Sequence, residues 1–184
     1  MDARIARTRE SVLAAARAVL LDEGLVAITP TRVAEVSGVA RRTIYRHWPN
    51  ADELLHDALA SASFPTYART GRLTTDVRAH LEQLRDALQH GPLATILLAL
   101  GERAAVDDGM RALRARLVEQ GCAPLRALFV EHGVATAEVD DLVLELEGPI
   151  MTSVLVHARP ASDALIARLV ERVAPLGPPP ARHN

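Results

Sequence analysis

The residues best suited to do chemistry stand between Thr29 and Asn50, where positive charge is concentrated. Against a single acid, Glu35, this segment places four arginines: Arg32, Arg41, Arg42 and Arg46. A guanidinium group forms paired hydrogen bonds with a phosphate or with the two acceptors on the edge of guanine. Because the whole chain has a net charge of -2, this local excess is the feature that predicts nucleic acid as a partner.

Other chemistries find little support in the residue pattern. The sequence has no glycine-rich phosphate loop and no HExxH motif, and His80 and His90 are not at metal-ligand spacing on one helix. Four carboxylates are interpreted as a solvated helix face: Asp140, Asp141, Glu145 and Glu147. We therefore expect no catalytic residue, no metal and no cofactor. A helical adaptor that does not bind DNA stays open as an alternative, and failure to bind any duplex would identify it.

The cysteine count and the hydropathy pattern predict a cytoplasmic protein. Cys122 is the single cysteine, which excludes an intrachain disulfide and favours a small buried residue over a redox sensor. The first residues mix acids with arginines, unlike the apolar stretch of a secretion signal. The longest apolar run, 93–101, is far shorter than the ~20 residues that span a membrane. No membrane partner is expected.

Three helical patterns must position the basic segment. The first covers residues 3–23 and carries its apolar residues on one face: Ile5, Val12, Ala16, Val19 and Leu20. Thr29-Pro30 begins a second helix, because threonine can cap it and proline fits its first turn. Gly38 ends that helix in a sharp turn, and a third helix runs over 41–47 until Pro49 stops it. This arrangement predicts a helix-turn-helix, whose last helix enters the major groove of DNA.

The remaining segments are also predicted to be helical, so the expected fold class is all-α. Asn50 can cap a fourth helix that ends near residue 63, and 64–71 form a joint. Further helices are expected over 75–90, 92–106, 109–132 with a break near 121–124, 137–158 and 161–173. We expect a helix-turn-helix domain over 1–50, a helical domain over 51–174 and a flexible tail over 175–184.

The motif around the third helix resembles the DNA-binding half of the TetR (tetracycline-repressor) family. The matching residues are Ile28-Thr29, Val33-Ala34, the turn Ser37-Gly38-Val39 and the run GVARRTIYRHWPN that ends at Asn50. The resemblance covers about residues 5–55 with almost no gaps. It implies an N-terminal DNA-binding domain followed by a helical domain that binds a ligand and forms a dimer.

The resemblance also implies a role for individual residues. Arg41, Arg42 and Thr43 match positions that face base edges, and four residues match positions that hold phosphates: Thr29, Thr31, Tyr45 and His47. Arg32 and Arg46 complete the predicted DNA-binding set through their charge, whereas Trp48 is expected in the core.

Two positions depart from the family pattern. Ala40 stands where the family usually has a serine that caps the recognition helix, and Ala51 stands where a lysine often contacts phosphate. The first departure removes a cap worth about 0.5–2 kcal/mol. Both departures predict weaker anchoring on the DNA backbone.

The C-terminal half shows a second, weaker similarity to the family. A long helix containing Gly148-Pro149, a break at Arg159-Pro160 and a final amphipathic helix look like the pair that builds a four-helix bundle with a second subunit. The predicted dimer residues are Leu142, Leu146, Ile150, Val154, Leu165 and Leu169. An ordinary intramolecular core is the alternative.

The effector pocket is the least defined prediction. Its candidate lining residues are Leu97, Leu100, Met110, Leu117 and Phe129, all of which are equally good core residues. The sequence as a whole predicts a regulator that binds a palindromic operator as a homodimer and is released by an unknown small molecule. Repression is the expected sign of regulation, and activation stays open.

Overall fold

The structure is a computed structural model that describes residues 3–61 and 67–176. The described residues contain nine α-helices and no strand, which confirms the all-α prediction. The helices are α1 Ala3–Glu23, α2 Pro30–Ser37, α3 Arg41–His47, α4 Ala51–Ala60, α5 Leu73–Gln89, α6 Leu93–Ala104, α7 Asp108–Glu131, α8 Thr136–Met151 and α9 Asp163–Val173. In the described ranges, none of them has the length and apolar character needed to cross a membrane.

The chain divides into two compact units. Met1–Ser63 and Thr95–Leu117 form the first, and Phe64–Ala94 and Val118–Asn184 form the second. The first unit therefore continues past residue 50, where the sequence analysis placed the domain boundary, because α4 packs against α1. Of the predicted flexible tail, residues 177–184 lie outside the described residues, and Ala174–Leu176 form a short 3₁₀ turn.

The core of the first unit forms because several helices each turn one apolar face inward. The buried residues include Val12, Ala16, Val19 and Leu20 of α1, Val33 of α2, Ile44 of α3, and Leu54, Leu55 and Leu59 of α4. The predicted inner face of α1 is confirmed except at Ile5, which is exposed. Burial of each large aliphatic side chain contributes roughly 1.5–3 kcal/mol, so these contacts hold the short α2 and α3 in place.

The boundaries of the two short helices follow from local chemistry. Thr29 accepts a hydrogen bond from the backbone N–H of Arg32 at 3.1 Å, and Pro30 opens α2 as predicted. Gly38 closes α2 with φ 69°, a left-handed conformation that costs other residues about 1–2 kcal/mol. Pro49 drives the preceding Trp48 into an extended conformation, which ends α3.

The second unit is built around α5, with α8 and α9 packed against it. Its buried apolar residues include Val77, Leu81 and Leu88 of α5, Leu125 and Phe129 of α7, Val143, Leu146 and Ile150 of α8, and Ile166 and Val173 of α9. Arg85 on α5 donates to Asp163 at 2.5 Å, at the start of α9. The Ser162 side chain caps α9 by accepting from Leu165 N–H at 3.1 Å.

Of the prolines inside the long helices, Pro124 acts differently from the sequence expectation, whereas Pro149 lies within α8 as expected. The predicted break near 121–124 is wrong, because α7 is continuous and contains Pro124. Leu117 and Leu125 are buried on either side, and this packing offsets the one backbone hydrogen bond that proline cannot donate. In α8, Pro149 precedes a π-helical turn, Thr152–Val156, so the helical path ends close to the predicted residue 158.

Candidate nucleic-acid interface

The short helix α3 presents its polar side chains outward from one buried anchor. Ile44 is 0% exposed, whereas Arg41, Arg42 and Arg46 lie on the surface. Tyr45 is also exposed, at 45%. A single anchor in a seven-residue helix leaves most of its surface free, which is the geometry that a helix needs in order to enter a groove.

The four arginines of the basic segment have different surroundings. Within residues 3–61 and 67–176, no salt bridge joins Arg41, Arg42 or Arg46 to a carboxylate. Arg32 instead donates to both oxygens of Glu23 at 2.8–3.0 Å and to Glu35 at 2.9 Å. The hydrogen bonds to Glu23 and then to Glu35 raise the pKa of Arg32, and its hydrogen bond in turn lowers the pKa of Glu23.

These contacts give Arg32 a structural role, and its predicted contact with DNA stays a prediction. Its guanidinium group holds the start of α2 against the end of α1 through Glu23. The sequence analysis counted only the charge of Arg32 and did not pair it with Glu23, nine residues away. In the structure, Arg32 joins α2 to the end of α1.

The residues predicted to hold phosphates lie in several places around α3. Thr29 uses its side-chain oxygen to cap α2, which leaves its hydroxyl proton free to donate. Thr31 is half-buried in the first turn of α2, and His47 is exposed at the end of α3. The His47 ring lies 5.8 Å from the Trp48 ring in a tilted arrangement. Donors are thus present at the start of α2 and at the end of α3.

Trp48 fixes the end of α3 to two other helices. It is 3% exposed, which confirms its predicted place in the core, and its indole N–H donates to Asp57 at 2.9 Å. Arg9 donates to the same carboxylate at 2.6 Å and lies 5.6 Å from the centre of the Trp48 ring. The sequence analysis missed Arg9 and Asp57, because no local spacing rule connects residues 48 positions apart.

The start of α3 lacks a side-chain cap. Ala40 occupies the cap position with φ -54° and ψ 130°, and its methyl group can accept no hydrogen bond. The predicted departure at this position is therefore confirmed, and the first amides of α3 depend on the backbone oxygen of Ala40 and on solvent.

We expect Ala40→Ser to stabilise the chain by about 1 kcal/mol, because the hydroxyl can accept from an N–H of the first turn. The midpoint of thermal unfolding should rise by roughly 2–4 °C, measured by circular dichroism. Ala40→Val is the control, since it adds bulk without an acceptor. An equal rise for both variants would contradict the capping explanation.

Comparison with known proteins identifies the family. Residues 12–58 match the sequence model described as "Bacterial regulatory proteins, tetR family". The DNA-binding transcriptional repressor TetR of Mycobacteroides abscessus is 32% identical over 173 residues, which cover 89% of this chain and 90% of that protein. The chain belongs to the TetR family. As a TetR-family member it is a DNA-binding transcriptional regulator.

Solved structures place the fold in the same family. A transcriptional regulator from Rhodococcus sp. Rha1 aligns with a TM-score of 0.69 and 21% identity, over 91% of this chain and 95% of that one. A TetR family transcription regulator aligns with a TM-score of 0.63 and 26% identity, over 94% of this chain and 99% of that one. The likeness extends through both compact units, so the TetR-family fold is not confined to the helix-turn-helix.

The predicted dimer residues of this TetR-family chain differ in their burial. Leu146, Ile150 and Leu169 are buried within a single subunit, so these three predictions are corrected to intramolecular core. Leu142, Val154 and Leu165 are half-buried. In α8, the cause is that the face containing Leu146 and Ile150 packs toward α5. The spacing of apolar residues in α8 alone could not show which face does so.

A second apolar face of α8 lies away from this core. We call it the α8 stripe, and its members recur at helical spacing: Leu144, Gly148 and Met151 of α8, and Leu155 of the π-helical turn that follows. Leu144 is 69% exposed and the other three are half-buried. A Cβ atom added at Gly148 would meet no atom within 4 Å, so open space lies above the middle of the stripe.

The predicted pocket residues are packed in the structure. Leu100, Met110, Leu117 and Phe129 are buried, and Leu97 is half-buried. They belong to both compact units, with Phe129 in the second unit and the others in the first. The structure thus gives each of the four buried side chains a core role.

A buried polar group in the second unit contradicts one sequence interpretation. Glu147 was assigned to a solvated helix face, but its side chain is only 12% exposed and accepts from His80 at 2.8 Å. The thiol of Cys122 donates to the other oxygen of Glu147 at 3.4 Å. His80 and Glu147 are 67 residues apart, so their pairing is a property of the fold.

Proposed function

We propose that this chain is a ligand-responsive repressor that binds a palindromic operator as a homodimer and is released by a small molecule. The observation that carries the proposal is the pair of surface arginines, Arg41 and Arg42, unpaired by any described carboxylate on a helix anchored through Ile44. The relative from Mycobacteroides abscessus is named a repressor, which supports this sign of regulation. A dimer bound across a promoter would block polymerase sterically.

The proposed contacts divide into base readout and backbone positioning. Arg41, Arg42 and Thr43 would face base edges, because they open the helix that enters the groove and arginine pairs with guanine. Donors at either end of the motif would hold phosphates: Thr29, Thr31, Tyr45 and His47. Arg46 would add charge on the exposed side of α3.

The proposed dimer forms through α8 and α9, with the α8 stripe at its centre. A palindromic operator requires two recognition helices about 34–36 Å apart, which a twofold-symmetric pair of subunits supplies. Exposed Leu144 and open space at Gly148 favour close packing of α8 against a second copy. An effector that changes the tilt of the paired helices would weaken DNA binding, and coupling of about 1–3 kcal/mol would suffice.

The decisive experiment is selection of bound duplexes from random DNA with the purified full-length chain. We expect enrichment of a palindrome whose half-sites are about one helical turn apart. Enrichment of a single half-site would refute the dimeric arrangement. Failure to enrich any sequence would favour the adaptor alternative.

Two substitutions in α3 should separate sequence readout from backbone anchoring. Arg42→Ala is expected to lose roughly 1–3 kcal/mol of binding at one operator position and to relax base preference there. Tyr45→Phe should instead weaken binding to all sequences about equally, because a phosphate contact carries no sequence information. Titrations against the operator and against single-base variants of it measure both effects.

Arg114→Ala is the matched control for charge, since Arg114 is exposed on α7 and lies outside the helix-turn-helix. It should leave base preference unchanged. An unaltered binding profile for both Arg42→Ala and Tyr45→Phe would refute the assigned roles.

A further inference from the structure

The second unit contains a cluster of four polar side chains that neither the core nor the DNA interface requires. We call it the Glu147 cluster, and its members are Tyr67, His80, Cys122 and Glu147. His80 comes from α5, Cys122 from α7 and Glu147 from α8, while Tyr67 precedes α5. His80 and Cys122 therefore meet at the carboxylate of Glu147, and Tyr67 joins the cluster through its ring contact with His80.

The central pair of the Glu147 cluster is largely shielded from solvent. The side chains of His80 and Glu147 are 9% and 12% exposed, and their neighbours on the same helices, Leu81 and Leu146, are buried. Apolar residues of similar size would stabilise such a position as well or better, because a buried ion pair loses its hydration. Stability alone therefore gives no reason for a carboxylate here.

Tyr67 adds a hydroxyl group that forms no hydrogen bond within the described structure. Its ring meets the His80 ring edge-on, with centroids 5.7 Å apart and planes at 76°. Its hydroxyl is buried and has no hydrogen-bond partner among residues 3–61 and 67–176. Burial raises the pKa of Tyr67, so the group stays a neutral phenol that can donate or accept. Buried polar atoms are rarely left unpaired, and an external molecule would supply the missing partner.

We propose that the Glu147 cluster is the polar recognition site for the effector, and that the effector is a small organic cation with planar N–H donors. This inference rests on the proposed function, because it names the ligand class of that function. The imidazole ring of His80 shows that Glu147 can accept a hydrogen bond from a planar N–H donor. An imidazolium or amidinium ligand takes the place of His80 on Glu147 and lies against the Tyr67 ring, which packs on His80 in the structure.

The chemistry of Glu147 decides between cations and other ligands. Displacing His80 would leave the shielded carboxylate of Glu147 without a charged hydrogen-bond partner, unless the ligand itself supplies a charged donor. An anion would be repelled, and a neutral amide would make the weaker of the two kinds of hydrogen bond. Burial, followed by the nearby Glu147, raises the pKa of Cys122 to about 12, so the thiol remains a donor to the carboxylate.

The position of Glu147 also links ligand binding to the proposed dimer. Glu147 is adjacent to Gly148, which belongs to the α8 stripe on a different face of the same helix. Loss of the His80 contact would release α8 from α5 at that turn, where their hydrogen bond now joins them. A ligand at Glu147 thus acts directly on the helix that the proposed dimer interface uses.

Three probes of one shape test the ligand class: benzamidine, benzamide and benzoate carry a positive, zero and negative charge on the same ring. Calorimetric titration of the full-length protein should show binding of benzamidine at millimolar concentration or below, and at least about tenfold weaker binding of the other two. Benzamidine should also release the selected operator. Equal binding of all three, or no binding of benzamidine up to about 10 mM, would overturn the proposal.

Substitutions locate the binding to Glu147. Glu147→Gln should weaken benzamidine binding at least about tenfold, because it removes the charge and keeps the shape. Glu145→Gln on the exposed side of α8 is the matched control and should bind benzamidine as the unmodified chain does. Undiminished benzamidine binding by folded Glu147→Gln overturns the assignment.

A second variant keeps the test decisive if Glu147→Gln does not fold. His80→Ala removes the internal partner of Glu147 and leaves a space of the size of imidazole. Added imidazole should bind this variant at least about tenfold more tightly than it binds the unmodified chain and should raise its unfolding temperature. Equal affinity in the two proteins contradicts the proposal. If the unmodified chain binds no operator but does bind benzamidine, the proposed function is refuted and the ligand site is not. The two outcomes can be told apart because the calorimetric titration requires no DNA.

Discussion

Replacing Ile44 with alanine is expected to lower the free energy of unfolding by about 2–5 kcal/mol and to abolish tight operator binding. Ile44 is the one fully buried side chain of α3, so its removal leaves a cavity and frees the helix from its support. Denaturant titration measures the stability change, and binding to the selected operator measures the loss of function.

Two neighbouring changes test this explanation. Ile44→Val should cost only about 0.5–1.5 kcal/mol, because it deletes a single methyl group. Tyr45→Ala removes a larger side chain, but Tyr45 is exposed, and a change of stability within about 0.5 kcal/mol is expected for such positions. A smaller cost for Ile44→Ala than for Tyr45→Ala would show that α3 is not anchored through Ile44.

Leu144→Glu is expected to convert the proposed dimer into a folded monomer. The substitution puts a charge into the α8 stripe, and two copies facing each other across a twofold axis would bury like charges. A monomer engages only one half-site and loses the benefit of linked binding, so operator affinity should fall at least ~100-fold. Analytical ultracentrifugation measures the oligomeric state, and an operator titration measures the affinity.

Val130→Glu is the control for the same change of charge. Val130 is an exposed apolar residue on α7, outside the stripe, and its replacement should leave the oligomeric state and the operator affinity unaltered. If Leu144→Glu sediments as the unmodified chain does, α8 does not form the interface through this face.

The helix-turn-helix could be predicted from the sequence because its signals are local. Thr29 and Pro30 begin α2, Gly38 ends it and Pro49 ends α3, and each acts within a few residues of the boundary that it sets. Steric and capping preferences of this kind depend little on distant contacts. The structure confirms the bounds of α3 for this reason, and it also confirms those of α1.

The corrections concern contacts between residues far apart in the chain. The amphipathic pattern of α8 contains two apolar faces, and only packing against α5 decides that Leu146 and Ile150 belong to the core. The Trp48–Asp57 contact and the His80–Glu147 contact likewise depend on the tertiary fold. Charge counting places Arg32 in the basic segment but cannot reveal its pairing with Glu23.

Pro124 shows why helix breakers mislead in long helices. An isolated proline costs a helix about 3 kcal/mol, and this value predicts a break when only local preference is counted. Buried leucines on both sides contribute enough to keep α7 continuous. Local preference is therefore a weaker guide within a packed helix of 24 residues than it is at the ends of α2 and α3.

Because Trp48 lies at the end of α3, its intrinsic fluorescence can report the conformation of this helix. The sequence contains one tryptophan, so its fluorescence arises from a single site at the end of α3. The Asp57 carboxylate on its indole N–H and the guanidinium of Arg9 near its ring set the emission of that site. Any rearrangement that tilts α3 would disturb these two neighbours and change the colour or yield of the emitted light without an attached dye.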